Sequence, residues 1–465
     1  MDYKELGFKC GIEIHQQVEG RKLFCNCPAI VHDKDADIFF ERKLRAVTGE
    51  LGKTDLAAKA EMKKDKVYKY EACSSSSCLV EMDEEPPHEV NRKCLDLALE
   101  VAMLLNMKIV DEIEFMRKTV VDGSNVSGFQ RTALVGMDGY LETSKGRVNI
   151  SSLCLEEEAA KKLEDKDHEV RYKLDRLGVA LLEIATDPDI VDAEHAKEVS
   201  SILGMVLRST GKVRRGIGSI RQDVNVSIKG HPRVELKGFQ ELKFMPKVIE
   251  IEVKRQQKEK GESHVRKVNS DGTSIFMRPM PGAARMYPET DIDPIRISKE
   301  ELLKIKLPEL IDDRVVRFEK EFGLRSDVAR ELVVKNIDFS KFKFKLDNNF
   351  IAEVLVNYPK EIKKRFNLDA SQLTEEDYKE VFGYLEEGKI PKDAVLDILV
   401  KKLKGENVNL DSFKGVSDSE LEKVLKKLVD ANPNVPIGGL MGDAMKKFRG
   451  KVEGKKIMSI LKKLK

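Results

Sequence analysis

The segment FKCGIEIHQQV alternates apolar and polar residues: Cys10, Ile12 and Ile14 fall on one side, Glu13, His15 and Gln17 on the other. Successive side chains of a strand point to opposite faces, so the segment predicts a strand with one buried and one polar face. SIRQDVNVSI repeats the pattern, with Val224, Val226 and Ile228 opposed to Arg221, Asp223, Asn225 and Ser227. In RVELKG, Arg233, Glu235 and Lys237 oppose Val234 and Leu236. Together they predict a sheet with an apolar side and a polar, concave floor. A solvated sheet face alternates in the same way. Residue choice argues for a site, because Asp, Asn, His and Glu form strands poorly while their oxygens and nitrogens suit a hard cation.

Further acids lie in strand-like runs. SSLCLEEEAAKK places Glu156, Glu157 and Glu158 where an apolar run is expected to become a helix start, and DRLGVALLEIATDPD embeds Glu183 among Leu181, Leu182, Ile184 and Ala185. A bare buried carboxylate is very costly, so Glu183 requires a metal or a basic partner; a structural ion pair meets that need equally well. Magnesium held by carboxylates usually keeps waters and bridges phosphates. An acid-lined floor with Arg and Lys nearby is therefore what ATP-dependent activation of a carboxylate needs. Neither G-x-x-x-x-G-K-[ST] nor G-x-G-x-x-G before a helix occurs, so ATP is expected on a sheet cradle and not on a phosphate loop.

KLFCNC and YEACSSSSC supply the pairs Cys25/Cys27 and Cys73/Cys78. Four thiolates in two short pairs fit one tetrahedral zinc, although separate core and loop cysteines fit the spacing too. Cys10 and Cys154 sit in strand patterns and read as packing.

With 465 residues the chain is long enough for several domains, and 83 Lys+Arg against 81 Asp+Glu leave a net charge of +2, no global field for a polyanion. No apolar run reaches the ~18 residues of a membrane span, MDYKELGFK has no signal-peptide core, and seven cysteines form no disulfide framework, so a cytoplasmic protein is expected. Three zones follow from pattern: residues 1–298 with the strands and polar clusters, 299–405 helical, and 406–465 a small helical tail. Two helices in the first zone are expected from the shared faces of Cys94, Leu97, Ala98, Val101, Leu104 and Leu105, and of Val199, Ile202, Leu203 and Val206, the latter ended by Gly211. ISKEELLKIKL opens with a capping box, and Pro308, Pro359 and Pro391 punctuate the second zone. In the tail, Leu421, Val424, Leu425, Leu428 and Val429 share one helical face, and Met441, Ala444, Met445 and Phe448 another.

Taken in order, GIEIHQQ, KLFCNCP, CLVEMDEEPPHEVN, FMRKTVVDGSNVSGFQRT, LCLEEEAA, DRLGVALLEIATDPDI, GSIRQDVNVSI, VELKGFQEL and RPMPGAARMYPETDI resemble the GatB/GatE family, above all the GatE component of the archaeal glutamyl-tRNA(Gln) amidotransferases. The resemblance spans nearly the whole chain. It implies an α+β architecture: a glutamine-synthetase-like antiparallel-sheet cradle, followed by all-α helical and tail domains. It implies ATP- and Mg2+-dependent phosphorylation of the γ-carboxylate of Glu-tRNA(Gln), then amidation with ammonia from a GatD-like glutaminase partner in a hetero-oligomer.

The resemblance carries metal and active-site roles onto Glu13, His15, Glu157 and Glu183, and places Arg221, Asp223 and Asn225 on the matching polar strand. Glu13, His15, Glu157 and Glu183 are then expected to hold magnesium, with a neutral orienting ring as the alternative for His15, and Arg221 or Lys237 to screen the transferring phosphate. It implies zinc ligands at Cys25, Cys27 and the region of Cys78, with Cys73 less surely matched. DGSNVSGFQRT, with Asp122, Ser124, Asn125, Gln130 and Arg131, reads as a loop closing over the aminoacyl end, or as an ordinary polar turn. RPMPGAARMYPETD, with Arg278, Arg285 and Tyr287, reads as a clamp on the CCA end or as a rigid connector. The tail basic residues Lys446, Lys447, Arg449, Lys451, Lys455 and Lys456 read as a tRNA-phosphate patch, or as solvated lysines.

One departure stands out. Archaeal GatE chains carry a large insertion before RPMPGAARMYPETD, and here EVKRQQKEKGESHVRKVNSDGTSIFMRPMPG runs straight through. A rival of another class is a non-catalytic component that binds tRNA or serves assembly, and a third reading is a stand-alone carboxylate–amine ligase using free ammonium. The acid and histidine set argues against the first. The basic tail and the lack of a recognisable glutaminase nucleophile argue against the second.

Overall fold

Segments that alternate in the sequence pair side by side in the computed structural model, which describes residues 1–32, 35–45, 52, 54, 56–239, 241–280, 286–413, 418–433, 435–448, 452 and 454–465. In chain order the strands are β1 (Lys9–Gln17), β2 (Ile38–Arg42), β3 (Val67–Ala72), β4 (Lys108–Ile109), β5 (Glu112–Ile113), β6 (Phe115–Thr119), β7 (Phe129–Thr143) and β8 (Gly146–Glu157). They continue with β9 (Lys161–Asp165), β10 (Glu169–Lys173), β11 (Ala180–Thr186), β12 (Ile220–Ser227), β13 (Val234–Lys237), β14 (His264–Val268), β15 (Ser274–Pro279), β16 (Met286–Pro288) and β17 (Ile295–Arg296).

Among the described residues the main sheet has 11 strands, ordered β15-β14-β13-β12-β1-β11-β8-β7-β6-β16, with β4 beside β7. Its pairs are antiparallel except β13–β14. A second sheet, β2-β3-β10-β9, holds a parallel β3–β10 pair at its centre. The fold is α+β, as expected.

One face of the main sheet is apolar. Ile12, Ile14, Leu155, Leu182, Ile184, Val224 and Leu236 are buried in one cluster with residues of the helices Arg92–Leu104, Ala193–Ser209 and Met245–Lys258. Both expected helices of this layer form because an apolar stripe meets the sheet: Cys94, Leu97, Ala98 and Val101 on one, Val199, Leu203 and Val206 on the other. Asn91 caps the first, and Gly211 follows the second at φ +68°.

Met1–Leu310 forms one compact unit and Ile311–Lys465 another. The capping box at Ser298 and Glu301 is present, and Leu302, Ile305 and Leu310 pack against the core of the first unit. The second unit is helical. Leu421, Leu425, Leu440, Ala444 and Phe448 are buried together in its last cluster, flanked by Val424, Leu428, Val429, Met441 and Met445. No described helix is long and apolar enough to cross a membrane.

Two local expectations fail. Glu156–Glu158 do not start a helix: β8 runs through Glu157 and β9 follows, because Leu153 and Leu155 are buried while Cys154 between them is less so, a period of two and not 3.6. Pro359 does not end a helix either, and Asn348–Phe366 runs through it. Proline removes one backbone donor and crowds the preceding turn. Close to that gap, the Val356 carbonyl accepts from Lys335 Nζ at 2.7 Å.

His195, in the first turn of its helix, is buried against the β7–β8 hairpin, with Nε2 2.8 Å from Thr143 Oγ1 and Nδ1 accepting from the Val191 N–H at 3.2 Å. Burial holds its pKa below the ordinary value, so the folded state keeps the ring neutral. Below about pH 6.5 the unfolded chain binds a proton that the folded chain refuses, and stability falls. The thermal midpoint should therefore drop more steeply between pH 7 and pH 5 in the wild type than in His195→Asn; equal slopes would remove His195 as the cause.

Candidate active site

The polar face of the main sheet lies opposite the helix-covered face and lines a cleft of about 510 Å3. Register builds it. His15 on β1 stands beside Glu183 on β11 and Arg221 on β12, and Glu13 stands beside Asp223. Leu181 pairs with Glu156 on β8, and Lys118 on β6 with Gln130 on β7. Strands from distant parts of the chain thus present one row of charges.

His15 Nε2 lies 3.3 Å from Glu13, 3.3 Å from Glu183 and 3.9 Å from Glu156. Lys118 Nζ bridges buried Glu156 and half-buried Glu183, at 2.8 Å and 3.4 Å. Burial opposes the charge on Glu183, but Lys118 and the hydrogen bond from His15 outweigh it and hold its pKa far below the usual range. Burial, then Glu183, raises Glu13 to about 7. Burial disfavours the imidazolium, yet Glu183, Glu13 and Glu156 raise His15 to about 9. Its Nδ1 is buried without a hydrogen-bond partner.

Two cations at the rim, Arg221 and Lys237, are held by acids. Arg221 makes a bidentate pair with Glu158, at 2.6 and 3.0 Å, and Gln17 Nε2 donates to the same carboxylate at 3.1 Å. Lys237 pairs with Asp223 and Glu235, which raise its pKa against the effect of burial. Asn225 Oδ1 is buried without a partner. Arg278 reaches the cleft with its Nε similarly unpartnered.

Glu157, expected beside His15, lies elsewhere. It shares the face of Leu153 and Leu155, where Arg131 donates to it from N and Nη1 at 3.0 and 3.4 Å. Glu156 occupies the place assigned to it, since a shift of one residue along a strand exchanges faces. Arg131 is not free for a substrate: Glu289 holds its Nε at 2.7 Å, and Phe129 lies 5.1 Å beneath the guanidinium. Gln130 lines the cleft and donates to the Glu157 carbonyl at 2.8 Å. Ser124 bonds Asp122 at 2.6 Å, and buried Asn125 borders a cavity of about 20 Å3 with Glu81, Arg131 and Glu157, so neither lines the cleft. Tyr287 packs edge-on to Phe129 at 6.2 Å. Arg285, Arg449 and Lys451 lie outside the described residues. Lys446 and Lys447 end one tail helix, and Lys455 and Lys456 lie on the next.

The cysteine expectation needs one correction. Cys25, Cys27 and Cys78 converge, but the fourth donor is Glu81, all within 4.8 Å of one another. Cys73 is turned away, with its Sγ 3.8 Å from the Asp35 carbonyl. Glu81 Oε1 lies 2.9 Å from Cys25 Sγ and 3.7 Å from the fully buried Lys22 Nζ, while Oε2 accepts from the Cys78 N–H at 2.8 Å. Three sulfurs and a carboxylate suit four-coordinate zinc. Burial and the Glu81 charge push the Cys78 thiol up to about 11, the behaviour of a thiol cluster that a cation would stabilise. On the cleft floor, His15, Glu156 and Glu183 also offer donors within 4.8 Å, as do Glu13, His15 and Asp223. Their carboxylates suit a hard divalent cation.

The sequence gives no role in the site to Glu156, Lys118, Glu158 or Glu81 until the strands are paired. Two signals point to Lys118 and Glu81: the alternation in FMRKT, which sends Lys118 to the face opposite Arg117, and the short spacing from Cys78 to Glu81.

A family model described as the GatB/GatE catalytic domain matches residues 8–303, and one described as a GatB domain matches 338–464. The chain is 36% identical over 622 aligned positions to the glutamyl-tRNA(Gln) amidotransferase E subunit of Methanococcus maripaludis, covering 99% of this chain and 98% of that one. It is 35% identical to the proteins of the same name from Methanocaldococcus jannaschii, covering 100% and 99%, and from Archaeoglobus fulgidus, covering 100% and 98%. An alignment of 622 positions against 465 residues means that the relative carries residues this chain lacks, in keeping with the missing insertion. The chain belongs to the GatB/GatE family.

Proposed function

We propose that this chain converts Glu-tRNA(Gln) to Gln-tRNA(Gln) by way of a γ-glutamyl phosphate, within a hetero-oligomer in which a GatD-like glutaminase supplies ammonia. The observation that carries this reading is the convergence of Glu13, His15, Glu156 and Glu183 with Lys118, Arg221 and Lys237 around one cleft. The names of the relatives support the substrate class.

A carboxylate does not react with ammonia at neutral pH, because an oxide is a poor leaving group. In the first step a γ-carboxylate oxygen bonds the terminal phosphorus of ATP, the bond from that phosphorus to the bridging oxygen breaks, and ADP leaves. In the second, ammonia bonds the carbonyl carbon, phosphate leaves with the C–O electron pair, and a proton is lost from nitrogen. The transfer is governed by positioning and by neutralising charge on the phosphoryl oxygens. Arg221 and Lys237, each oriented by acids, are placed to offset that charge. Lys118 holds Glu156 and Glu183 together against their mutual repulsion.

Magnesium would be held by His15, Glu156 and Glu183, or by Glu13, His15 and Asp223, and would supply charge neutralisation at the phosphates. Zinc at Cys25, Cys27, Cys78 and Glu81 would be structural. The basic tail residues are assigned to tRNA phosphates.

Incubation with Glu-tRNA(Gln), ATP, magnesium and ammonium should yield Gln-tRNA(Gln), scored by release and separation of the amino acid; no product with folded protein and charged tRNA would overturn the reading. Glu183→Gln should lower the rate at least about a hundredfold while tRNA affinity stays within about twofold. Normal turnover would remove Glu183 from the machinery. Elemental analysis of purified protein should find one zinc per chain, lost in Cys25→Ser and Glu81→Ala with a lower thermal midpoint and kept in Cys73→Ser. Zinc retained by Glu81→Ala would move the fourth ligand elsewhere.

A further inference from the structure

Tyr68 and Tyr70 on β3 and Tyr172 on β10 are buried in the second sheet, with Tyr172 beside Tyr70 in the parallel register and their rings stacked at 6.1 Å. Their hydroxyls do not scatter. Tyr68 donates to the Val121 carbonyl at 2.9 Å, Tyr172 to Asp122 at 2.8 Å and Tyr70 to Gly123 at 2.8 Å. The next carbonyl, Ser124, accepts from the Ala160 N–H at 2.8 Å. Four consecutive carbonyls of one connection are thus bound from outside it. Contact is close: Gly123 has φ +86°, and a Cβ there would lie 2.1 Å from the Tyr68 ring.

The connection so held joins β6 to β7. Val120 N–H bonds the Gly128 carbonyl at 2.8 Å and closes it. On the strand side of that closure, Lys118 and Gln130 face each other across the register and both line the cleft, Lys118 between Glu156 and Glu183. A polar loop of Asp, Gly, Ser and Asn has many conformations available, and fixing it costs entropy. Three rigid rings with one hydroxyl each fix it with little side-chain entropy of their own.

We propose that Tyr68, Tyr70 and Tyr172 are positioning residues for the reaction proposed above, on which this inference rests: their hydroxyls fix the path of the β6–β7 connection and so the placement of Lys118 and Gln130 along the cleft. The connection is then a preformed support and not a lid that closes over the aminoacyl end.

The test uses the full chain with its ammonia source and the triple variant Tyr68→Phe, Tyr70→Phe, Tyr172→Phe, which keeps every ring; Tyr378→Phe, in the second unit, is the control. Deuterium uptake by residues 120–128 should quicken about tenfold or more in the triple variant and remain unchanged in the control. A small misplacement at a reacting centre is costly, so kcat for Gln-tRNA(Gln) should fall about tenfold, with KM for the aminoacyl-tRNA within about twofold. The folded fraction, read by circular dichroism, should match the wild type. Unchanged uptake would show that the hydroxyls do not hold the connection. Faster uptake with kcat intact, or a loss confined to KM, would refute the positioning role. An inactive wild type would count against the proposed reaction alone, because the uptake measurement needs no turnover.

Discussion

Buried Glu156 and half-buried Glu183 lie near one another, and Lys118 and His15 stand between and beside them. Two desolvated carboxylates at this spacing repel strongly, and neither could remain charged alone. With the Lys118 ammonium between them and the His15 ring beside them, the cluster becomes a fixed field facing the cleft. The order of the strands follows from this balance. β6 must bring its lysine, β1 its histidine, and β8 and β11 their acids to one place, with β7 between β6 and β8 to set the spacing.

Much of this is legible in the sequence because a strand has a period of two. Alternation in FKCGIEIHQQV and SIRQDVNVSI places Glu13, His15, Arg221 and Asp223 on one face before any pairing is known. The same rule, applied to LCLEEE, separates Glu156 from Glu157, but three consecutive acids match either phase and only the buried Leu153 and Leu155 decide it. A run of identical residues hides its own register. Lys118 is harder to see, since a lone lysine in FMRKT carries no chemical signal until Glu156 and Glu183 are found within reach. Glu81 escapes for a related reason: a search for sulfur pairs finds Cys73, while the turn after Cys78 folds the carboxylate back onto the Cys78 N–H.

Residues rich in hydrogen-bonding groups are also read too freely as substrate contacts. Asn125 and Arg131 are turned toward the helix-covered side or the small cavity, and the partners of Arg131 are protein groups. Turn formers signal backbone conformation first. Whether such a loop meets solvent or an aromatic layer depends on a sheet built from strands far away in sequence.

The centre of the main sheet has a consequence for how the chain comes into being. β1, near the start, pairs on one side with β11 and on the other with β12, so its partners are translated long after it. Contacts of such separation close slowly. Until Thr186 has left the ribosome both edges of the first strand stay bare, and one edge stays bare until Ser227 follows, so the nascent chain carries an unpaired strand with one apolar face that a chaperone or a transient local partner must shield.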